Sequence, residues 1–321
     1  MAVETRSFGR YGEMRDSPIV QLLPDGRRLH LHDGPIDLIL EAYGRPEQIH
    51  AAYDTAERRF VTILDELCAE LPLLRQAVGS NMPRPHGVIA RRMAAAVGPY
   101  GERRFITPMA AVAGAVAEEI LETMTKGTEL ARCYVNNGGD IALYLTPGES
   151  FSVGMVDRPD RPSLFGTLRI RSDDPIRGLA TSGWRGRSFS LGIADAVTVL
   201  AADAAAADAA ATIIANAVDL PGHPEIVRVP ASGIAPDNDL GKLCVTRAVP
   251  KLCSDEVQEA LASGVSVAEE LISEGLAAAA ALHLQGQTCV VPLAFRILNL
   301  TTEKSPEPTE WRVAHGQCRG S

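Results

Sequence analysis

Asp208, Thr212 and Asn216 recur at every fourth residue inside an alanine-rich stretch. On a helix that spacing sets a carboxylate, a hydroxyl and an amide along one stripe. A carboxylate and a hydroxyl are hard oxygen donors, suited to Mg²⁺ rather than to zinc or copper. Most neighbours of the stripe are Ala, so another backbone or a bulky ligand can approach closely. The competing expectation is a polar, solvated edge on a surface helix.

Other residues with usable chemistry lie in turns. Asn136-Asn137-Gly138-Gly139-Asp140 sits between two strand-like runs, ARCYV and IALYL. A Gly-Gly turn there predicts a hairpin, and its exposed N–H groups can also cradle an anion. Ser182-Gly183-Trp184-Arg185-Gly186-Arg187-Ser188 combines hydroxyls, glycines and two arginines, residue types that bind phosphate, or it is a loose solvated loop. His30 and His32 lie two apart and share one side of a strand; with no third ligand suggested nearby, they read as exposed strand residues. His86 lies in the loop Asn81–His86 without a visible partner. Asp237-Asn238-Asp239 lacks the full spacing of a calcium loop. No P-loop is present, and no G-x-G-x-x-G follows a strand.

These groups need elements to position them. Asp195 to Ala201 alternates small and β-branched residues and predicts a buried strand. An Ala-rich helix follows, with Asp203 as its N-cap. Residues 18–41 predict a hairpin in which Ile19–Leu23 and Arg28–His32 flank Pro24-Asp25-Gly26. Apolar residues from Ile49 to Leu71 repeat at helical spacing, predicting a helix over 46–78 that Pro72 kinks or restarts. Thr107-Pro108 predicts the start of a helix over 105–127 that Lys126-Gly127 ends. The small residues Ala110–Ala117 at its start allow either a close ligand or tight helix–sheet packing. FSVGMVD and LFGTLRIR predict strands, residues 219–242 a connecting excursion and Leu243–Val249 a strand. Residues 254–285 read as helical, with an Ala run at 277–281, and Val290–Leu300 as an apolar strand. The tail 301–321 is polar and expected to fray.

Bulk composition narrows the class. With 321 residues, 46% hydrophobic and 22% charged, the chain has room for a sizeable core and an ordinary globular composition. A net charge of −9 and the lack of a basic stripe with interleaved aromatics argue against nucleic acid as a partner. Cys68, Cys133, Cys244, Cys253, Cys289 and Cys318 form no C-x-x-C pair and no zinc spacing with histidine. Scattered thiols, a charged N-terminal segment without an apolar run, and no apolar stretch of about 18 residues lead to the expectation of a cytoplasmic protein that does not enter membranes.

Three of these stretches together carry a family resemblance. Val135-Asn136-Asn137-Gly138-Gly139-Asp140-Ile141 resembles the V-N-x-G-G-D-I motif of the ApbE-like flavin transferases. Thr181-Ser182-Gly183 resembles their T-S-G loop, and Val197-Thr198-Val199 followed by Ala207-Asp208-Ala209-Ala210-Ala211-Thr212 resembles their V-T-V strand and A-D-A-x-A-T helix. Thr107–Gly114 and Gly186–Val199 are more similar to an uncharacterised cytoplasmic branch of that superfamily. The matching motifs cover roughly residues 105–218.

The resemblance implies an α/β (α+β) ApbE-like fold: a mixed or antiparallel sheet with packed helices, one domain over 1–300, and the tail beyond it. It implies Mg²⁺ held by Asp208, Thr212 and a backbone carbonyl near Ala111, with FAD as substrate or ligand. It implies transfer of FMN to a threonine of a partner redox protein, with AMP leaving. Asn136, Gly138, Gly139, Thr181, Ser182, Gly183, Arg185 and Arg187 are the expected flavin-nucleotide contacts. The sequence departs from the transferases at two points. The family lysine falls near Val112, and the shortened segment Arg185–Ala194 has no histidine, which leaves Asp140 or Asp195 as the base. Hydrolysis of the FAD pyrophosphate, or flavin or metabolite binding without catalysis, are the alternative functions.

Overall fold

The computed structural model describes residues 17–79, 82–156 and 164–291. Its frame is a nine-stranded sheet in which every neighbouring pair is antiparallel. In chain order the elements are β1 (Ile19–Leu22), β2 (Leu29–Asp33), β3 (Ile36–Gly44), α1 (Pro46–Leu74), α2 (Val88–Val97), α3 (Val112–Thr125), β4 (Leu130–Asn137) and β5 (Asp140–Leu145). The second half continues with β6 (Ser150–Val156), β7 (Leu164–Arg171), β8 (Gly178–Ser182), β9 (Ala196–Ala201), α4 (Ala204–Ala217), β10 (Val227–Pro230), β11 (Cys244–Ala248), α5 (Ser254–Ser273), β12 (Ala279–Leu284) and β13 (Gln287–Val291). The sheet order is β1-β2-β3-β4-β5-β8-β9-β12-β13, with β6-β7 and β10-β11 as separate two-stranded ribbons. The fold is mixed α/β, and the sheet resolves the mixed-or-antiparallel alternative as antiparallel.

One face of the sheet carries the helices. α1 packs on β2 and β3, α3 on β4 and β5, α4 on β8 and β9, and α5 on β12 and β13. The main core lies between these layers and includes Leu38, Phe60, Ile120, Val135, Val199, Ile214 and Leu282. Burial of such side chains contributes about 1.5–3 kcal/mol each. On the opposite face Phe151, Leu168 and Ile170 of the β6-β7 ribbon cover Leu143, Leu179 and Leu200. Among the described residues no helix is long and apolar enough to cross a membrane.

Several elements differ from their sequence expectations. The hairpin of 18–41 is the start of a three-stranded meander, since β3 follows β2 across the two-residue turn Gly34-Pro35. Pro72 lies inside α1 and does not restart it. Thr107-Pro108 opens a single 3-10 turn, Pro108–Ala111, before α3 begins. The Ala run at 277–281 belongs mostly to β12 rather than to a helix. Gly275 (φ +74°) ends α5, and β12 then pairs with β9 on one side and β13 on the other. Its small side chains are buried on both faces, so tertiary pairing overrides the helix preference of alanine. The tail beyond 291, Cys318 and the start of the chain lie outside the described residues.

Candidate functional site: two carboxylates over a helix N-terminus

The expected residues gather at one end of the sheet, where β4 turns into β5 and β8 passes through a loop into β9. Gly138 and Gly139 form the tight β4-β5 turn with φ of +67° and +120°, values that only glycine reaches without strain. The Gly139 N–H donates to Asn136 Oδ1 at 2.9 Å, so Asn136 closes the turn. Its neighbour Asn137 is buried and donates through Nδ2 to the Ala113 carbonyl at 3.2 Å, joining the turn to the start of α3.

α3 and α4 meet at Gly114. A Cβ there would stand 2.2 Å from the Ala204 carbonyl oxygen, so the crossing requires glycine. The two helices cap each other at this contact. The Gly114 N–H donates to Asp208 Oδ2 at 3.0 Å, and Ala113 N–H is a further backbone donor to the same carboxylate. In return the Ala205 N–H at the start of α4 donates to Glu118 Oε1 at 2.6 Å, and Ala206 N–H donates to the N-cap Asp203 at 2.7 Å. Each carboxylate thus satisfies N–H groups that have no partner within their own helix.

Asp140 is the second carboxylate of the site. It begins β5 on the helix-facing side, shared with Ala142 in the main core. The Thr181 N–H donates to its Oδ1 at 3.3 Å. Burial pushes the Asp140 carboxyl up to about 7, with the Thr181 N–H opposing the shift. Burial also holds Asp208 well above the usual carboxylate range, and the nearby Asp140 charge adds to the rise. Two carboxylates that disfavour each other's ionisation, helped only by backbone N–H groups, favour either a shared proton or a cation.

The other expected residues divide between this site and its rim. Ala111 is buried at the end of the 3-10 turn, one residue before α3. Thr212 lies one turn beyond Asp208 and is half-buried, with no side-chain hydrogen bond among the described residues. Asn216 completes the stripe by accepting from Leu191 N–H at 2.9 Å, which pins the loop before β9. Strand alternation turns the Thr181 side chain to the opposite face, where its hydroxyl meets that of Thr198 at 2.9 Å; only its N–H serves Asp140. Ser182, next along β8, is half-buried. Gly183 is buried against the Asp195 carbonyl, which a Cβ would approach to 2.5 Å.

Asp195 is only 3% exposed, and both of its oxygens are used. Arg185 Nε donates to one at 2.6 Å and the Gln285 N–H to the other at 2.7 Å. The Arg185 guanidinium also lies over the Trp184 ring at 4.3 Å. Arg187 is exposed and donates to the Pro35 carbonyl at 3.2 Å, beside Gly138. His86 is exposed, and its N–H donates to Glu70 at 2.7 Å, far from any of these groups in role. Shallow clefts of about 270 and 510 Å³ lie elsewhere, lined by residues such as His223 and Glu256, and Arg169 and Asp173.

Two contributors were not evident from sequence spacing. Asn137 was hidden behind Asn136, although alternation along β4 was the signal that only one of the two faces the helices. Glu118 sits in an otherwise small and apolar helix start, a place where a carboxylate needs a partner. Burial pushes its carboxyl up to about 7, and Asp203 nearby adds to the rise. Arg92 meets it at 2.9 Å and opposes the shift.

Residues 20–290 match a family model described as AbpE bacteria. A UPF0280 protein of Methanopyrus kandleri is 39% identical over 128 residues, 40% of this chain and 48% of the relative. One of Methanosphaerula palustris is 35% identical over 165 residues, 48% of this chain and 63% of the relative. One of Methanothrix thermoacetophila is 42% identical over 115 residues, 35% of this chain and 46% of the relative. The chain spans about half the length of the curated relatives it matches. The match over 20–290 means that this chain belongs to the AbpE bacteria family, an ApbE-like group.

Proposed function

We propose that the chain is a Mg²⁺-dependent flavin-nucleotide enzyme that transfers FMN from FAD to a threonine of a partner redox protein. The observation that carries this is the Asp208 carboxylate bound to the N-terminus of α3, with Asp140 near enough to oppose its ionisation. The donor set fits the ion: two carboxylates of raised pKa and the Thr212 hydroxyl are hard oxygen groups, and a dication offsets the repulsion that otherwise keeps the pair protonated. Asp208, Thr212 and the Ala111 carbonyl would hold it. When bound, Mg²⁺ supplies Lewis acidity and neutralises charge on phosphate oxygens.

The chain's own residues have separable tasks in this mechanism. The exposed Arg187 guanidinium, beside the Gly138-Gly139 turn, favours the negative charge of a pyrophosphate. Asp140 accepts the proton of the acceptor hydroxyl as its oxygen bonds to the FMN phosphorus; the bridging P–O bond breaks and AMP leaves with that electron pair. Asp195, with both oxygens engaged, positions Arg185 instead of taking a proton.

The experiment is FAD binding by flavin fluorescence, with and without Mg²⁺, followed by AMP release and covalent flavin on an acceptor. The expected result is binding that needs Mg²⁺ and weakens at least tenfold in Asp208→Ala; no flavin binding under any condition overturns the proposal. Val112 in place of a lysine, and the histidine-free segment Arg185–Ala194, favour a second reading in which flavin is bound without transfer. AMP release without covalent flavin would assign pyrophosphate hydrolysis.

A further inference from the structure

We propose that His30, His32 and Asp37 form a second metal site, for zinc(II) or a similar borderline transition ion, on the outer face of the β2-β3 hairpin. Alternation along β2 buries Leu29, Leu31 and Asp33 and leaves His30 and His32 together on the other side. The hairpin register then sets Asp37 of β3 directly across from His32. The third ligand that the sequence did not suggest is supplied by the strand after the turn.

The distances suit a single ion. His30 Nε2 lies 2.6 Å from Asp37 Oδ1, and His32 Nδ1 lies 3.8 Å from the same oxygen. One ligand atom from each residue falls within 4.8 Å of the others. In a tetrahedral zinc site with bonds of about 2.0–2.1 Å, ligand atoms stand about 3.3 Å apart. The two observed separations bracket that value, and an ion would take the place of the hydrogen bond between His30 and Asp37.

The backbone beneath is held in place. Leu31, Leu38 and Leu40 are fully buried on the inner face of the hairpin. Tyr53 of α1 reaches across, accepting from Ala42 N–H at 3.1 Å and donating to the Arg27 carbonyl at 2.5 Å. The ligand side chains remain accessible, at 26%, 41% and 44% exposure for His30, His32 and Asp37, which leaves room for water or a ligand in a fourth position. Two imidazoles and one carboxylate select zinc, cobalt, nickel or copper over Mg²⁺. The site therefore differs in chemistry from the oxygen-only pair of Asp140 and Asp208. Among the described residues, no other group of three His, Cys, Asp or Glu side chains comes this close together.

The test uses the full chain, free of any affinity tag and in a buffer that does not chelate. Zn²⁺ binding is measured by calorimetry, and Co²⁺ is titrated for its visible absorption. The expected result is one ion per chain, with affinity falling at least tenfold in His32→Asn and in Asp37→Asn and unchanged in His50→Asn, an exposed histidine on α1. Melting temperatures of the metal-free variants should match that of the parent chain, which separates lost ligation from lost folding. Equal zinc affinity in a His30→Asn/His32→Asn double variant, thiolate-to-cobalt charge transfer, or no saturable binding would each overturn the proposal.

Discussion

Asp195 and the Asp140–Asp208 pair lie near the same end of the sheet but are treated oppositely by the fold. Asp195 has a guanidinium 2.6 Å from one oxygen and a backbone N–H on the other. Asp140 and Asp208 have backbone N–H groups and each other. A buried charge with its counter-ion built in belongs to the scaffold, because removing either partner strands the other. A carboxylate pair without one is suited to a cation from solution, and the metal-free fold tolerates it by keeping protons on it.

The largest effect should come from disturbing the surface on which the pair rests. Gly114→Val drives a side chain into the Ala204 carbonyl and separates α3 from α4. We expect a loss of about 3 kcal/mol or more in urea denaturation, or no folded protein. A well-folded Gly114→Val would mean that the mutual capping is not needed.

The next pair of variants tests the contrast itself. Asp195→Ala removes a buried ion-pair partner and should cost about 3 kcal/mol. Asp208→Asn mimics the protonated carboxyl and keeps an acceptor for Gly114 N–H, so without metal it should change stability by less than about 1 kcal/mol. If the two variants cost the same, Asp208 is a helix cap of the same standing as Asp195, and the cation site loses its basis.

The pH dependence sharpens the difference. The folded Asp140 carboxyl titrates near 7, above its unfolded value of 3.8. Through that interval the folded state holds a proton that the unfolded state has released. Stability from this group is therefore complete below about pH 4 and is lost as pH rises towards 7. Glu118 adds to the same trend. The melting temperature without metal should fall between pH 5 and 8, by about 2–4 °C per kcal/mol, and Asp140→Asn should flatten the slope. Mg²⁺ should raise the melting temperature more at pH 8 than at pH 5, since binding displaces the retained protons. An equal shift at both values would separate the carboxylates from the metal. At the small end, Arg45→Ala opens an ion pair with Glu129 whose partners are 67% and 79% exposed, and the denaturation midpoint should not move measurably.

Much of the site was legible before folding was considered. The β4-β5 hairpin follows from Asn-Asn-Gly-Gly-Asp between two alternating runs, and α4 follows from Asp203 and the alanines after it. The helix stripe was legible only as spacing. Asn216 serves a loop, Asp208 a neighbouring helix, and Thr181 shows its hydroxyl to the far side of the sheet. The Ala run of 277–281 misled because alanine carries a helix preference and no record of the strands beside it. Asp37 falls within the expected hairpin of 18–41, but only Ile19–Leu23 and Arg28–His32 were paired there, so the strand that sets Asp37 across from His32 was not foreseen.

By itself the sequence determined the elements with local causes: turns where glycine is required, caps where an oxygen precedes a helix, and strands where the apolar pattern alternates. Those causes act within a few residues and are written in residue type. Only the tertiary structure decided which carboxylates meet. Gly114 and Asp208 are far apart in the chain, and their contact depends on α3 and α4 packing side by side on the sheet. The raised Asp140 carboxyl has the same origin, because desolvation belongs to the packed molecule and to no residue alone.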